Sequence, residues 1–169
     1  GYLRDLRLIV QQKGWESLVY LDESGMDQGM DRPYGRAPRG HKLYGEVRGK
    51  RGVRESFIAA LWNKKIIAPM GFQGTCNAAL FNTWLEKILI PELRPGQILI
   101  LDNAAFHKSE TTKKLVENAG CQLMFLPPYS PDFNLIETCW ANIKRKIRNT
   151  IHNFNSITQA IDHVFATQL

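Results

Sequence analysis

Three acidic residues, far apart in a chain of 169, stand where a fold can hold side chains still. Asp22 closes the apolar run of "ESLVYLD" (16–22), and Asp102 closes that of "QILILD" (97–102). Glu137 falls in the first turn of a helix-patterned stretch, "LIETCWANIKRKIRN" (135–149). If the two apolar strands are neighbours, the carboxylates converge at one sheet edge. Two unit charges about 4 Å apart repel by roughly 4 kcal/mol at an effective dielectric near 20. Protonation relieves that repulsion, and so does a divalent cation; oxygen-only ligands suit Mg²⁺ or Mn²⁺. A pair of such ions activates a water or hydroxyl and stabilises the leaving oxygen of a phosphodiester.

Each residue also has a plainer use. Asn134 and Glu137 approximate a capping box, so Glu137 can serve the helix alone. Asp22 can end a strand, with Glu23 as the ligand instead. Asp102 with Asn103 can begin a turn, and His107 can be a loop histidine. Lys144 and Arg148 share the Glu137 face of the helix; a solvated basic face is the default, and a row that holds a DNA backbone is the alternative. Pro127, Pro128 and Pro131, in "LPPYSPDFNLIE" (126–137), fix φ and limit how far Glu137 can drift.

The elements that must position these groups are legible from periodicity and punctuation. Strands are predicted at 16–25, near 42–48, at 54–62 and 65–72 about a turn at Asn63-Lys64, at 97–103, and, buried, at 121–126. Helices are predicted over 77–90, with Phe81, Trp84, Leu85 and Ile88 inward and Pro91 as the stop, and over 109–120, from a Ser cap to a Gly stop. Two more follow, over 135–149, with Ile136, Trp140, Ile143 and Ile147 inward, and about 156–166. Strands followed by strand–helix–strand–helix make an α/β class with a mixed sheet, in which sites gather beyond the carboxyl ends of strands.

Bulk composition fits one globular domain. The net charge of +6 favours polyanion partners. Eight cations (Arg32, Arg36, Arg39, Lys42, Arg48, Lys50, Arg51 and Arg54) face one acid, Glu46, between residues 32 and 54, a stretch suited to tracking phosphates. Three cysteines without metal spacing read as reduced, mostly buried thiols of a cytoplasmic protein. No apolar run reaches membrane-spanning length. The chain opens on Gly1, so its natural start is expected upstream.

"LDESG", "ILDNAAFH" and "LPPYSPDFNLIETCW" together resemble the DDE transposases of the mariner superfamily, in particular its bacterial insertion-sequence branch called the six-thirty family. The 34 residues between Asp102 and Glu137 (103–136) match that family's spacing. The resemblance implies an RNase H-like fold with a five-stranded mixed sheet flanked by helices, spanning 1–169 as a single catalytic domain. It implies Asp22, Asp102 and Glu137 as a triad for two Mg²⁺ or Mn²⁺ ions, and Asn103, His107, Asn134, Lys144 and Arg148 as supporting or DNA-contacting residues. It implies cut-and-paste transposition into TA targets, with double-stranded DNA as substrate, a homodimer on paired ends, and a bacterial, nucleoid-associated setting without membrane or small-molecule partners. Two departures stand out. Leu135 replaces the family's usual proline, and nothing matches the family's N-terminal helix-turn-helix. The rival expectations are another RNase H-like nuclease, a non-catalytic DNA-binding module from a decayed element, and a plain α/β domain whose acids are caps and turns.

Overall fold

The computed structural model describes residues 1–27 and 54–169. The strand expected near 42–48, and all of the basic stretch except Arg54, lie outside the described residues.

Among the described residues five strands form one sheet in the order β3-β2-β1-β4-β5. They are β1 (Leu18–Asp27), β2 (Arg54–Trp62), β3 (Lys65–Gln73), β4 (Ile98–Leu101) and β5 (Gln122–Phe125). Only Asn63 and Lys64 separate β2 from β3, at φ 52° and 67°. Two positive φ values in a two-residue loop match the right-handed twist of the flanking strands, which makes the pair an antiparallel hairpin. On the other side, β1, β4 and β5 run parallel. The sheet is therefore mixed, as expected, with flanking helices.

β1 runs past Asp22, where its end was expected, to Asp27. β4 stops at Leu101, but β1 also borders β2, and that partner carries the strand onward. β5 was expected to be buried and is half-exposed instead, because it lies at the edge of the sheet.

The helices are α1 (Tyr2–Lys13), α2 (Ala78–Trp84), α3 (Glu110–Asn118), α4 (Glu137–Thr150) and α5 (Ile157–Thr167). α1 is not among the helices expected from periodicity; its apolar positions Leu3, Leu6 and Val10 recur at helical spacing, yet none of its residues is fully buried. After α2 the chain widens into a π turn, Leu85–Leu89. A π turn takes one extra residue, so the inward position passes from the expected Ile88 to Leu89, which is buried. α3 opens on Ser109, whose Oγ accepts from Thr112 N at 3.2 Å. It closes at Gly120 (φ 77°), where a side chain would press on Pro95.

Two compact units divide the chain. The first comprises Gly1–Asp22, Ala59–Pro69 and Cys76–Glu137. Val19, Leu21, Phe81, Trp84, Leu99, Ile100 and Leu101 fill its core, and Trp84 Nε1 donates to Ala68 O at 2.8 Å. The second comprises Glu23–Ile58, Met70–Thr75 and Thr138–Leu169. There Phe57 meets Trp140 at 5.5 Å and Phe165 at 5.7 Å between ring centroids. Buried Glu55 accepts from Gln73 Nε2 at 3.0 Å and Thr158 Oγ1 at 2.9 Å, so the carboxylate is hydrogen-bonded rather than stranded. All three cysteines are free; only Cys121 is fully buried, and Cys76 and Cys139 are half-exposed, so the expectation of mostly buried thiols is corrected. No described helix is long and apolar enough to cross a membrane.

Candidate metal centre

β1 and β4 pair in parallel with Leu18 beside Ile98, Val19 beside Leu99 and Tyr20 beside Ile100. Two residues further in that register stand Asp22 and Asp102. The sheet therefore brings together two carboxylates that are eighty positions apart in the chain. One oxygen from each of Asp22, its strand neighbour Glu23, and Asp102 lies within 4.8 Å of the others. Three carboxylates at that spacing suit a hard divalent cation, whose charge offsets their repulsion.

Asp102 is held by its own chain. Its Oδ1 accepts from Ala104 N at 3.0 Å, the turn that the Asp-Asn pair suggested. The same oxygen lies 3.1 Å from His107 Nδ1, which also reaches Asp102 O at 3.1 Å. Both neighbours of Nδ1 are acceptors, so Nδ1 carries the proton and donates. The bond from His107 holds the Asp102 carboxyl below the usual carboxylate range, against the opposing effect of its partial burial. Neither bond uses Oδ2. His107 itself is fully buried, its ring packed against Phe81 (4.6 Å) and Phe106 (4.4 Å). It is thus a buried histidine bonded to Asp102 and not a loose loop histidine. Asn103, beside Asp102, is exposed.

Glu137 is the first residue of α4 and exposed; it is not among the three clustered carboxylates. Its amide donates to Asn134 O at 3.1 Å. Asn134 is buried, with Oδ1 accepting from Ile136 N at 3.3 Å as an N-cap would. Lys144 and Arg148 lie further along α4, half-exposed and exposed. Arg54, the one described cation of the basic stretch, is exposed at the start of β2. From sequence, Glu23 is an alternative to Asp22; the structure gathers both.

Against known families, residues 17–159 match the model described as DDE superfamily endonuclease. The chain belongs to the DDE superfamily endonucleases. The match contains Asp22, Asp102 and Glu137. A comparison with curated proteins gives no match. Among solved structures, this DDE endonuclease is similar to the Mos1 transposase catalytic domain with Raltegravir and Mg (16% identity, TM-score 0.65, covering 99% of this chain and 80% of that one). It is also similar to Mos1 transposase in a paired-end complex with the left transposon end (16%, TM-score 0.64, 98% and 53%). A chain of a simian T-cell lymphotropic virus intasome shares the architecture too (10%, TM-score 0.58, 86% and 47%). Identities this low establish a common RNase H-like fold.

Proposed function

We propose that this DDE endonuclease is the single catalytic domain of a mariner-type transposase, acting as a divalent-metal-dependent DNA endonuclease and strand transferase. The observation that carries the reading is the register of β1 with β4, which sets Asp22 beside Asp102 at the point where β4 ends. Asp22 and Asp102 would hold the cation, Mg²⁺ or Mn²⁺ and in our reading two ions, with Glu137 completing the set. Bound there, the metal supplies Lewis-acid polarisation of a phosphodiester and of its attacking oxygen. His107 keeps Asp102 oriented, and Asn103, Lys144, Arg148 and the 32–54 cations contact DNA.

At each transposon end a water oxygen bonds to phosphorus and the P–O3′ bond breaks, leaving a 3′-hydroxyl. That hydroxyl then attacks a target phosphorus, in our reading at TA, and one target P–O bond is exchanged for the new one. The Mos1 paired-end complex with its left transposon end supports DNA as the partner, and a homodimer on paired ends is our reading from the motif resemblance. A bacterial, cytoplasmic insertion-sequence setting fits the motif resemblance.

The test is nicking of supercoiled plasmid in Mn²⁺ by folded variants. Asp102→Asn and Glu137→Gln should each lower the rate at least about a hundredfold, and Glu23→Gln, which lies in the cluster but outside the proposed triad, should lower it less. Undiminished nicking by Asp102→Asn removes the site. Loss in Glu23→Gln with normal rates in Glu137→Gln assigns the third ligand to the strand instead of the helix.

A further inference from the structure

The segment that leads to Glu137, residues 126–137, is fastened near both ends to the strands that carry the aspartates. At its start, Leu126 N donates to Leu101 O at 2.8 Å, and Leu101 immediately precedes Asp102. Near its end, Asn134 Nδ2 donates to Leu21 O at 3.0 Å, across 113 residues of sequence, and Leu21 immediately precedes Asp22. Asn134 is 3% exposed. Both halves of its side-chain amide are in use, Nδ2 donating to Leu21 O and Oδ1 accepting from Ile136 N, and its backbone carbonyl accepts from Glu137 N.

We infer that Asn134 is the positioning residue that sets Glu137 relative to Asp22, through a side-chain bond to the strand residue next to that aspartate. Phe133 supports the same turn by stacking on Tyr2 (centroids 5.5 Å apart, planes 10° apart). The next position explains why the bond is needed. Leu135 is an exposed leucine, with none of the φ restriction that a proline at the first helical position imposes, so orientation falls to the amide. A buried amide is specific in a way that shape alone is not. Aspartate keeps the acceptor but has no N–H for Leu21 O, and alanine has neither. Displacement of a reacting group by about 1 Å can cost on the order of a hundredfold in rate.

This inference rests on Glu137 belonging to the catalytic set, so the experiment runs Asn134→Asp and Asn134→Ala beside Glu137→Gln. Plasmid nicking in Mn²⁺ is measured at a temperature where circular dichroism shows each variant folded. Amide exchange of the metal-free proteins is followed in parallel. Both Asn134 variants should lose at least about tenfold in kcat with KM for plasmid within about twofold. The Ile136 and Glu137 amides should exchange at least about tenfold faster while those of β4 keep their rates. A folded Asn134 variant with normal kcat, beside an inactive Glu137→Gln, overturns the positioning role and leaves the site standing. Normal nicking by Glu137→Gln removes Glu137 from the catalytic set and overturns the positioning role with it, while the pair of Asp22 and Asp102 is judged by Asp102→Asn. If neither Asn134 variant folds, the unaltered chain decides: its Asn134 side-chain protons should exchange as slowly as sheet amides, and exchange at the rate of an exposed asparagine contradicts the inference.

Discussion

At Tyr2 the ring and the hydroxyl have opposite effects. The ring stacks on Phe133, but the hydroxyl is buried with no hydrogen-bond partner among the described residues. Burial, reinforced by the nearby Tyr20, pushes its pKa up to about 12. Above pH 10 the unfolded chain gives up this proton while the folded chain keeps it, so stability falls as pH rises from about 10 to 12. Tyr2→Phe keeps the stack and removes the stranded hydroxyl. Urea unfolding should show it equal to the parent or up to about 1 kcal/mol more stable at pH 7, with a shallower loss toward pH 12. A variant clearly less stable at pH 7 would mean that the hydroxyl has a favourable partner. Residue-scale legibility was uneven. Asp22 and Asp102 announce themselves by ending apolar runs. His107 does not, because its burial depends on Phe81, a residue of α2 that no local pattern connects to it. Asn134 looked like a cap and is one, but its second bond, to Leu21, joins parts of the chain that only the folded sheet brings together.

Among the elements, the β2–β3 hairpin turns on two residues that both have side chains. Lys64 has φ 67°, a conformation that costs an L-residue roughly 1 kcal/mol and costs glycine almost nothing. Asn63 tolerates its left-handed position better, and Asn-Gly is the preferred pair for such a loop. Lys64→Gly should raise the midpoint of urea unfolding by an amount equivalent to about 0.5–1 kcal/mol, and Lys64→Val should lower it. Equal midpoints for all three would show that the turn is not held in this geometry. The hairpin and α3 were readable because their signals are local: a two-residue break between apolar runs, and a Ser-to-Gly frame. The π turn after α2 was not, since a single extra residue in one turn leaves no mark in a 3.6-residue pattern. The continuation of β1 past Asp22 was equally hidden, because it depends on which strands lie on either side.

For the whole molecule, the net charge of +6 and the cation-rich stretch from Arg32 to Arg54 bear on how DNA is held. In our reading those cations displace counterions from phosphates. Replacing Arg36, Arg39, Lys50 and Arg51 with glutamine should then weaken binding to duplex DNA and reduce the slope of log K against log salt by up to about 3.6, at roughly 0.9 for each phosphate no longer neutralised. An unchanged slope would mean that this stretch does not touch the backbone. The mixed character of the sheet follows from the same sequence logic that set the α/β class, whereas the order β3-β2-β1-β4-β5 is seen only in the fold. A hairpin supplies the antiparallel side, and two strand–helix connections supply the parallel side. That order puts β1 next to β4, and the neighbour relation of those two strands turns separated aspartates into one cluster. The central claim is therefore that Asp22 and Asp102 jointly bind a divalent cation. An anomalous difference map from crystals of the chain soaked in Mn²⁺ tests it most directly. The account predicts a peak at coordination distance, about 2.1 Å, from carboxylate oxygens of both Asp22 and Asp102; an empty cluster in crystals that hold Mn²⁺ elsewhere would contradict it.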